Sequence, residues 1–404
     1  MSGYKPYLVS WNLTRRCNLF CPHCYLDADS RLTARLSELS TDEARFVIDE
    51  LSYLNSHIML ILSGGEPMLR EDIFEIVRYA SDAGFLVVMG SNGTMLTREN
   101  LMLLKEAGLR GIGVSVDSHD RVYHDSFRGL DGAWEMAISA LKNAKEIGIE
   151  TQMDVTLTDM NIEELREFIE LGASLSVKVV NFFFLICVGR AMKTDISSYN
   201  YESALKKIMR LSLSEKRLMV KARCAPHIYR LLYEEGFKIP EGTRGCLAGR
   251  HYIRIDAEGN VTPCPYMPLI VGNIRESSMV NIWEESPSLN LLRVGSYKGR
   301  CGQCEYIDIC GGCRARALVE SGDFMDEDPL CRYTPRDGER VRPKGTFQSE
   351  LIWDEKAKNR IRNVPLFMKS MVIKVIEAKA KESGIKVITS ELIDDIKSTF
   401  SMHK

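Results

Sequence analysis

Six short apolar runs punctuate the first 190 or so residues: Tyr7–Thr14, Ile58–Ser63, Phe85–Ser91, Gly111–Asp117, Thr151–Leu157 and Val177–Ile186. Most are rich in β-branched or other apolar residues, as strands buried on both faces should be. Between them, apolar residues recur at helical spacing over Thr41–Leu54, Asp72–Asp82, Arg98–Ala107, Gly132–Glu146 and Ile162–Leu171. Ser40, with Glu43 three residues on, gives the first of these a capping-box start. Gly84, Gly108, Gly148 and Gly172 stand near helix ends, where glycine often caps. Strand and helix alternating six times predict an α/β fold with a parallel sheet: a (β/α)6 barrel or part of one. A doubly wound sheet is the alternative.

The pattern changes after residue 196. Ser197–Gly242 is charged and reads as helical. Cys246–Pro335 is irregular and rich in Gly, Pro and Cys. It has little apolar material and needs metal clips to hold a fold. Arg336–Thr346 is a charged linker, and Trp353–Thr399 reads as a small, basic-leaning helical module. The expected division is therefore 1–196, 197–242, 243–336 and 347–404.

Composition narrows the function classes. A chain of 404 residues has room for two to three domains. Lys and Arg number 53 against 55 Asp and Glu, a net charge of −2. That balance argues against a nucleic-acid binder. No apolar run approaches the length of a membrane span. The first residues carry no signal-peptide pattern, so the chain is expected in the cytoplasm. Its twelve cysteines then read as metal or cluster ligands rather than disulfides.

Three of them form Cys17-x3-Cys21-x2-Cys24, just after the first strand, at the end where barrel active sites lie. Three thiolates hold three irons of a cubane and leave the fourth open to a small molecule. Zinc is the alternative, with His23 as an awkward fourth ligand. Here the chain resembles the radical S-adenosylmethionine (SAM) superfamily, over roughly residues 7–195. Tyr25 matches the aromatic that follows the cluster motif, and Gly64-Gly65-Glu66-Pro67 matches the GGE motif. The resemblance implies that these glycines approach the methionine end of SAM and that Glu66 meets its ammonium. Ser91-Asn92-Gly93-Thr94 is similar to the ribose-side motif, with Asn92 at its centre. Ser115 and Asp117 follow the fourth strand, and Arg128 suits the SAM carboxylate. Gly189-Arg190-Ala191 is similar to the adenine-contacting loop. The implied chemistry is reductive cleavage of SAM by a [4Fe–4S] cluster, giving a 5′-deoxyadenosyl radical that abstracts a substrate hydrogen atom.

A second constellation, Cys246, Gly259, Cys264, Cys301, Cys304, Cys310, Cys313 and Cys331, resembles the SPASM extension of these enzymes. It departs from the common form in two ways: Cys310 and Cys313 are separated by two residues rather than three, and a frequent extra cysteine before the first is missing. The resemblance implies one or two auxiliary [4Fe–4S] clusters. Cys224 is the candidate for an eighth ligand, beside Cys246, Cys264 and Cys313; Cys301, Cys304, Cys310 and Cys331 form the other set. Paired zinc ribbons are the alternative. Cys187 is expected in the core.

Three features point to a tetrapyrrole substrate. The chain opens directly into its first strand, leaving no room for the leader-binding domain of many peptide maturases. Cys224-Ala225-Pro226-His227, Thr243–Gly249 and Cys301–Ala317 resemble the alternative haem biosynthesis group. The tail around Trp353, Val364-Pro365, Glu377, Ala380 and Ile388-Thr389 resembles a module of the light-independent protochlorophyllide reductase. Within the haem group the likeness is to the haem b synthase type, which oxidatively decarboxylates two propionates of iron-coproporphyrin III. That implies an iron porphyrin substrate and a low-potential donor such as ferredoxin or flavodoxin. His227 is a candidate axial ligand or acid near the substrate iron. Arg244, Arg250, Arg314 and Arg316 are candidates for the propionates. Deacetylation of a sirohaem derivative, a peptide- or protein-modifying maturase and a non-catalytic scaffold stay open.

Overall fold

The computed structural model describes residues 4–28, 37–191, 196–336, 338–343, 351–362 and 366–401. Eight parallel strands form one curved sheet: β1 (Leu8–Asn12), β2 (Met59–Ser63), β3 (Leu86–Ser91), β4 (Gly111–Ser115), β5 (Glu150–Leu157), β6 (Val179–Phe184), β7 (Met219–Arg223) and β8 (Tyr252–Ile255). Their order is β8-β1-β2-β3-β4-β5-β6-β7. Two short antiparallel strands, β9 (Asn260–Thr262) and β10 (Gly272–Asn273), continue the sheet beyond β8. The first six strands fall within two residues of the apolar runs at each end.

β7 and β8 enlarge the expected six-unit barrel. β7 lies in the stretch expected to be wholly helical. It pairs in parallel with β6, Val179 opposite Met219. Only Val220 along it is buried, so it has no apolar run to betray it. β8 comes from the Cys-rich region and pairs with the far edge, Leu8 opposite Tyr252 and Trp11 opposite Ile255. Ile253 and Ile255 are fully buried, whereas Tyr252 and Arg254 are half-buried on the other face. The β8–β9 turn carries Gly259 in the left-handed region, as its Ala-Glu-Gly-Asn sequence suggests.

Helices pack on the outer face: α1 (Thr41–Leu54), α2 (Ile73–Asp82), α3 (Arg98–Glu106), α4 (Arg121–Arg128), α5 (Ala133–Ile147), α6 (Leu165–Ser174) and α7 (Ser198–Ser214). At α1 both halves of the capping box are present: Glu43 N donates to Ser40 Oγ (3.2 Å) and Ser40 N to Glu43 Oε2 (2.7 Å). Gly172 is not a cap. It sits inside α6, where a Cβ would lie 2.7 Å from Val180 Cγ2, so its role is close helix–strand packing. Val9, Trp11, Leu60, Val87, Met153 and Phe182 join the inner faces of these helices in one core.

The 197–242 connection adds α8 (Ile228–Glu234), and the Cys-rich region adds α9 (Met279–Glu285), α10 (Pro287–Val294), α11 (Gly299–Gln303) and α12 (Arg314–Ser321). The C-terminal module is not wholly helical. Strands β11 (Ile352–Trp353) and β12 (Val387–Ile388) pair in parallel beside α13 (Glu355–Arg362), α14 (Leu366–Glu382) and α15 (Ser390–Ser401). Trp353, Ile376, Ala380 and Ile388 form its separate core. Val364 and Pro365 lie outside the described residues. Among the described residues, no helix is long and apolar enough to cross a membrane.

Candidate functional site

The loop after β1 gathers Cys17, Cys21 and Cys24. N–H donors point at all three sulfurs: Leu19 N at Cys17 (3.4 Å), Arg128 Nη1 at Cys21 (3.7 Å) and Ala28 N at Cys24 (3.5 Å). Such donors favour thiolate sulfur. Burial, with Glu66 and the other two cysteines adding, pushes the Cys17 thiol up to about 11. A free thiol there stays protonated at neutral pH, so bound metal cations are what ionise it. His23 turns away: its ring stacks on Phe127, centroids 4.5 Å apart, and its Nε2 lies 3.7 Å from Asp117 Oδ2. Zinc thus loses its nearest fourth ligand, while a cluster with one open iron loses nothing.

The motif residues around this loop mostly hold its shape. A Cβ at Gly64 would lie 2.5 Å from Thr14 O, and one at Gly65 2.1 Å from Arg16 O. These glycines let the β2 turn press on the cysteine loop. Glu66 is fully buried. Ser91 Oγ bridges both its oxygens at 2.9 Å, Met68 N donates to Oε1 (3.2 Å) and Asn92 N to Oε2 (2.9 Å). Burial pushes this carboxyl up to about 7 against those donors. Asn92 is nearly buried; its amide donates to Asn18 Oδ1 (2.9 Å) and lies 3.9 Å from Cys17 Sγ.

Ser115 ends β4, half-buried and in register with Asp154. Arg128, expected to take the SAM carboxylate, is ion-paired with Asp117, whose Oδ1 also accepts from Thr156 N (2.9 Å). Burial raises the Asp117 carboxyl, but Arg128, then His23 and His124, bring it below its usual value. Gly189 is likewise turned inward, its backbone lying on Cys24 and Tyr25. The neighbouring Arg190 clamps the same loop through Cys21 O (3.0 Å) and Ala28 O (2.8 Å).

The C-terminal thiols fall into two sets. Cys264 lies within charge–charge reach of Cys246, Cys313 and Cys224, and Cys224 of Cys313 and Cys246. Cys301, Cys304, Cys310 and Cys331 line one small cavity. The sets are those that the SPASM resemblance implies, Cys224 included. Among the described residues, no three His, Cys, Asp or Glu side chains have the spacing of a single-ion site. Cys187 is half-buried just after β6, less enclosed than expected.

His227 is almost completely buried between Tyr201 Oη (2.7 Å from Nδ1) and Asp328 Oδ2 (3.7 Å from Nε2), on the edge of the second thiol cavity. That places it with the auxiliary cysteines rather than beside the first triad. Burial lowers its pKa to about 4, so it is neutral there. The four candidate arginines each contact protein groups. Arg316 pairs with buried Asp328 and reaches Cys224 O (2.7 Å). Arg314 donates to Phe324 O and Asp326 O, Arg244 to Asp308 O, and Arg250 to Tyr297 Oη.

Between the first triad and the set around Cys264 lies a cavity of about 190 Å³, lined by Asn12, Tyr25, Gly189, Arg254, Pro265 and Tyr266 among others. Tyr25 follows Cys24, and Tyr266 stands two residues after Cys264. Their rings meet at 4.9 Å. Sequence reading passed over Arg254. The signal was the Tyr-Ile-Arg-Ile alternation, which puts Arg254 opposite the two buried isoleucines.

Residues 11–172 match the radical SAM superfamily, and residues 246–314 match an iron–sulfur cluster-binding domain, SPASM. The chain is a radical SAM enzyme with a SPASM domain. Residues 353–397 further match the proto-chlorophyllide reductase 57 kD subunit. The enzyme is 39% identical over 343 residues to an AdoMet-dependent heme synthase of Methanosarcina barkeri, covering 82% of this chain and 97% of the relative. It is 32% identical over 357 residues to an Fe-coproporphyrin III synthase of the same organism, covering 82% and 88%. It thus belongs to the radical SAM group that contains these haem-pathway enzymes. The fold is shared with Streptococcus suis SuiB bound to S-adenosylmethionine, with a TM-score of 0.66 at 16% identity, over 82% of this chain and 78% of that one. A radical SAM enzyme of this build uses SAM, a [4Fe–4S] cluster and auxiliary iron–sulfur clusters, and the three thiol sets fit that demand.

Proposed function

We propose that this enzyme oxidatively decarboxylates two propionates of iron-coproporphyrin III to vinyl groups, forming haem b in the cytoplasm. Its 39% identity to an AdoMet-dependent heme synthase, over 97% of that protein, carries the reading. Cys17, Cys21 and Cys24 hold the cluster that cleaves SAM. Cys224, Cys246, Cys264 and Cys313 hold one auxiliary cluster; Cys301, Cys304, Cys310 and Cys331 hold the other. Reductive cleavage of SAM supplies methionine and a 5′-deoxyadenosyl radical.

The chain's own part is positional. Gly65, Asn92 and Ser115, at strand ends around the triad, face SAM. Glu66, Asp117, Arg128 and Gly189 hold the loops that carry them. For each propionate, one hydrogen atom passes to the radical, carbon dioxide leaves, and one electron remains for an acceptor. The cavity between the triad and the Cys264 set supports a substrate seat there, and a cluster held by that set would supply an electron acceptor nearby. Ferredoxin or flavodoxin supplies the low-potential electron. The test is anaerobic incubation with iron-coproporphyrin III, SAM and a reductant. Mass spectrometry should find mono- and didecarboxylated products; SAM cleavage without either product overturns the substrate.

A further inference from the structure

Several enclosed arginines are spent on protein carboxylates or carbonyls, whereas Arg254 lines a cavity. Arg128 meets Asp117, Arg230 meets Glu202, and Arg316 meets Asp328. Arg314 and Arg293 spend their guanidinium groups on backbone carbonyls. Arg254 donates through Nε to Asn12 Oδ1. Among the described residues, no carboxylate lies within ion-pair distance of it. Arg254 lines the cavity between Cys24 and Cys264, where Glu258 lies nearest Arg15 and Asp256 accepts from Asn260. Guanidinium stays charged at any working pH, and half-burying it without a counter-charge is costly. The arrangement therefore calls for an anion that arrives from outside.

The walls say what else that anion carries. Tyr25 and Tyr266 stand tilted at 58° to each other beside Arg254, and Pro265 and Pro268 add apolar surface to the same wall. Asn12 ties the two features together, donating to Tyr25 Oη (3.0 Å) while accepting from Arg254. At about 190 Å³ the cavity is smaller than the seat of a whole drug-sized ligand. It suits one carboxylate-bearing arm and the adjoining edge of an aromatic ring.

We propose that Arg254 binds a propionate carboxylate of the macrocycle, and that this propionate is one the reaction keeps. The assignment rests on the haem b reading above. A guanidinium bound to the departing carboxylate would stabilise the starting state and lose its partner as neutral carbon dioxide forms, which raises the barrier. Bound to a retained propionate, it holds the ring equally well before and after reaction. Tyr25 and Tyr266 then seat the ring edge between the two iron–sulfur sites.

The experiment is an anaerobic Soret titration of the holoenzyme and of Arg254→Gln and Arg254→Lys. The ligands are iron-coproporphyrin III, haem b and the tetramethyl ester of iron-coproporphyrin III. Arg254→Gln should bind both carboxylate-bearing ligands about tenfold to a hundredfold more weakly, the range for one charge-assisted contact. Arg254→Lys should recover part of the loss. The ester should bind wild type and Arg254→Gln alike, and iron content should not change. Equal affinities for wild type and Arg254→Gln overturn the assignment alone. So does a loss shared by the ester, which would report packing, or a loss of iron, which would make Arg254 a cluster counter-charge. A loss confined to iron-coproporphyrin III overturns the choice of a retained propionate. A wild type that neither binds nor decarboxylates iron-coproporphyrin III overturns the haem reading itself.

Discussion

Gly189 rests on the carbonyl of Cys24: a methyl group added to Gly189 would lie 2.5 Å from that oxygen. Gly189 also holds φ at +61°, which costs an alanine roughly 1–2 kcal/mol before any clash. Gly189→Ala should therefore displace the cysteine loop. The expected outcome is loss of about four irons of a total near twelve, as for one cluster of three. Formation of 5′-deoxyadenosine should fall at least about tenfold. Iron analysis and chromatography of the cleavage products check both.

The thiol sets predict a contrast between two cysteines. Cys224 faces Cys313 and Cys246, whereas Cys187 stands outside all three sets. Cys224→Ala should lower auxiliary-cluster iron and decarboxylation while SAM cleavage continues. Cys187→Ala should leave iron content within error of wild type. Equal iron in the two variants would remove Cys224 from the ligand set.

Asp328 is the hub of the Cys-rich region. Fully buried, it accepts from Cys313 N (2.7 Å) and Leu330 N (3.1 Å) and pairs with Arg316, which in turn holds Cys224 O. Asp328→Asn leaves a buried guanidinium uncompensated, at a cost of about 3–5 kcal/mol. Thermal unfolding should begin at markedly lower temperature, with auxiliary iron lost first. A melting curve matching wild type would show the pair to be dispensable.

Glu43 predicts an acid-side change in stability. Its pair with Arg275, together with the donors at the α1 cap, outweighs burial and holds its carboxyl down at about 2. A depressed carboxyl stabilises the fold fully above its unfolded pKa near 4.3, and that contribution fades as pH falls toward 2. Both side chains are partly exposed, so the pair is worth about 1 kcal/mol at most. Wild type should melt higher than Glu43→Gln at pH 6, and the gap should narrow by pH 3. A gap independent of pH would contradict the pairing.

The cysteine spacing and the first six strands were legible because ligation and two-sided burial leave plain patterns. Other features were hidden for physical reasons. β7 carries Lys221 and Arg223 in five residues, so no apolar run marks it as a strand. Glu66 and Arg128 sit in recognisable motifs, but a motif does not say which way a side chain points. Here Glu66 accepts from Ser91 and Arg128 pairs with Asp117. Arg314 and Arg316 were singled out for position near the cysteines, yet α12 buries both. Arg254 escapes notice in the sequence because an arginine in a short strand reads as solvent-facing until the loop carrying Tyr25 and the segment carrying Tyr266 are seen to cover it.

β8 has a consequence for electron flow. The strand comes from the Cys-rich region, yet it is hydrogen-bonded along β1, whose end feeds directly into the Cys17 loop. Cys264 follows just beyond the β8–β9 hairpin. The Cys17 loop and the start of the Cys264 hairpin thus leave from two paired strands. Clusters held by Cys17, Cys21 and Cys24 and by the Cys264 set would therefore be spaced by paired backbone rather than by a free linker.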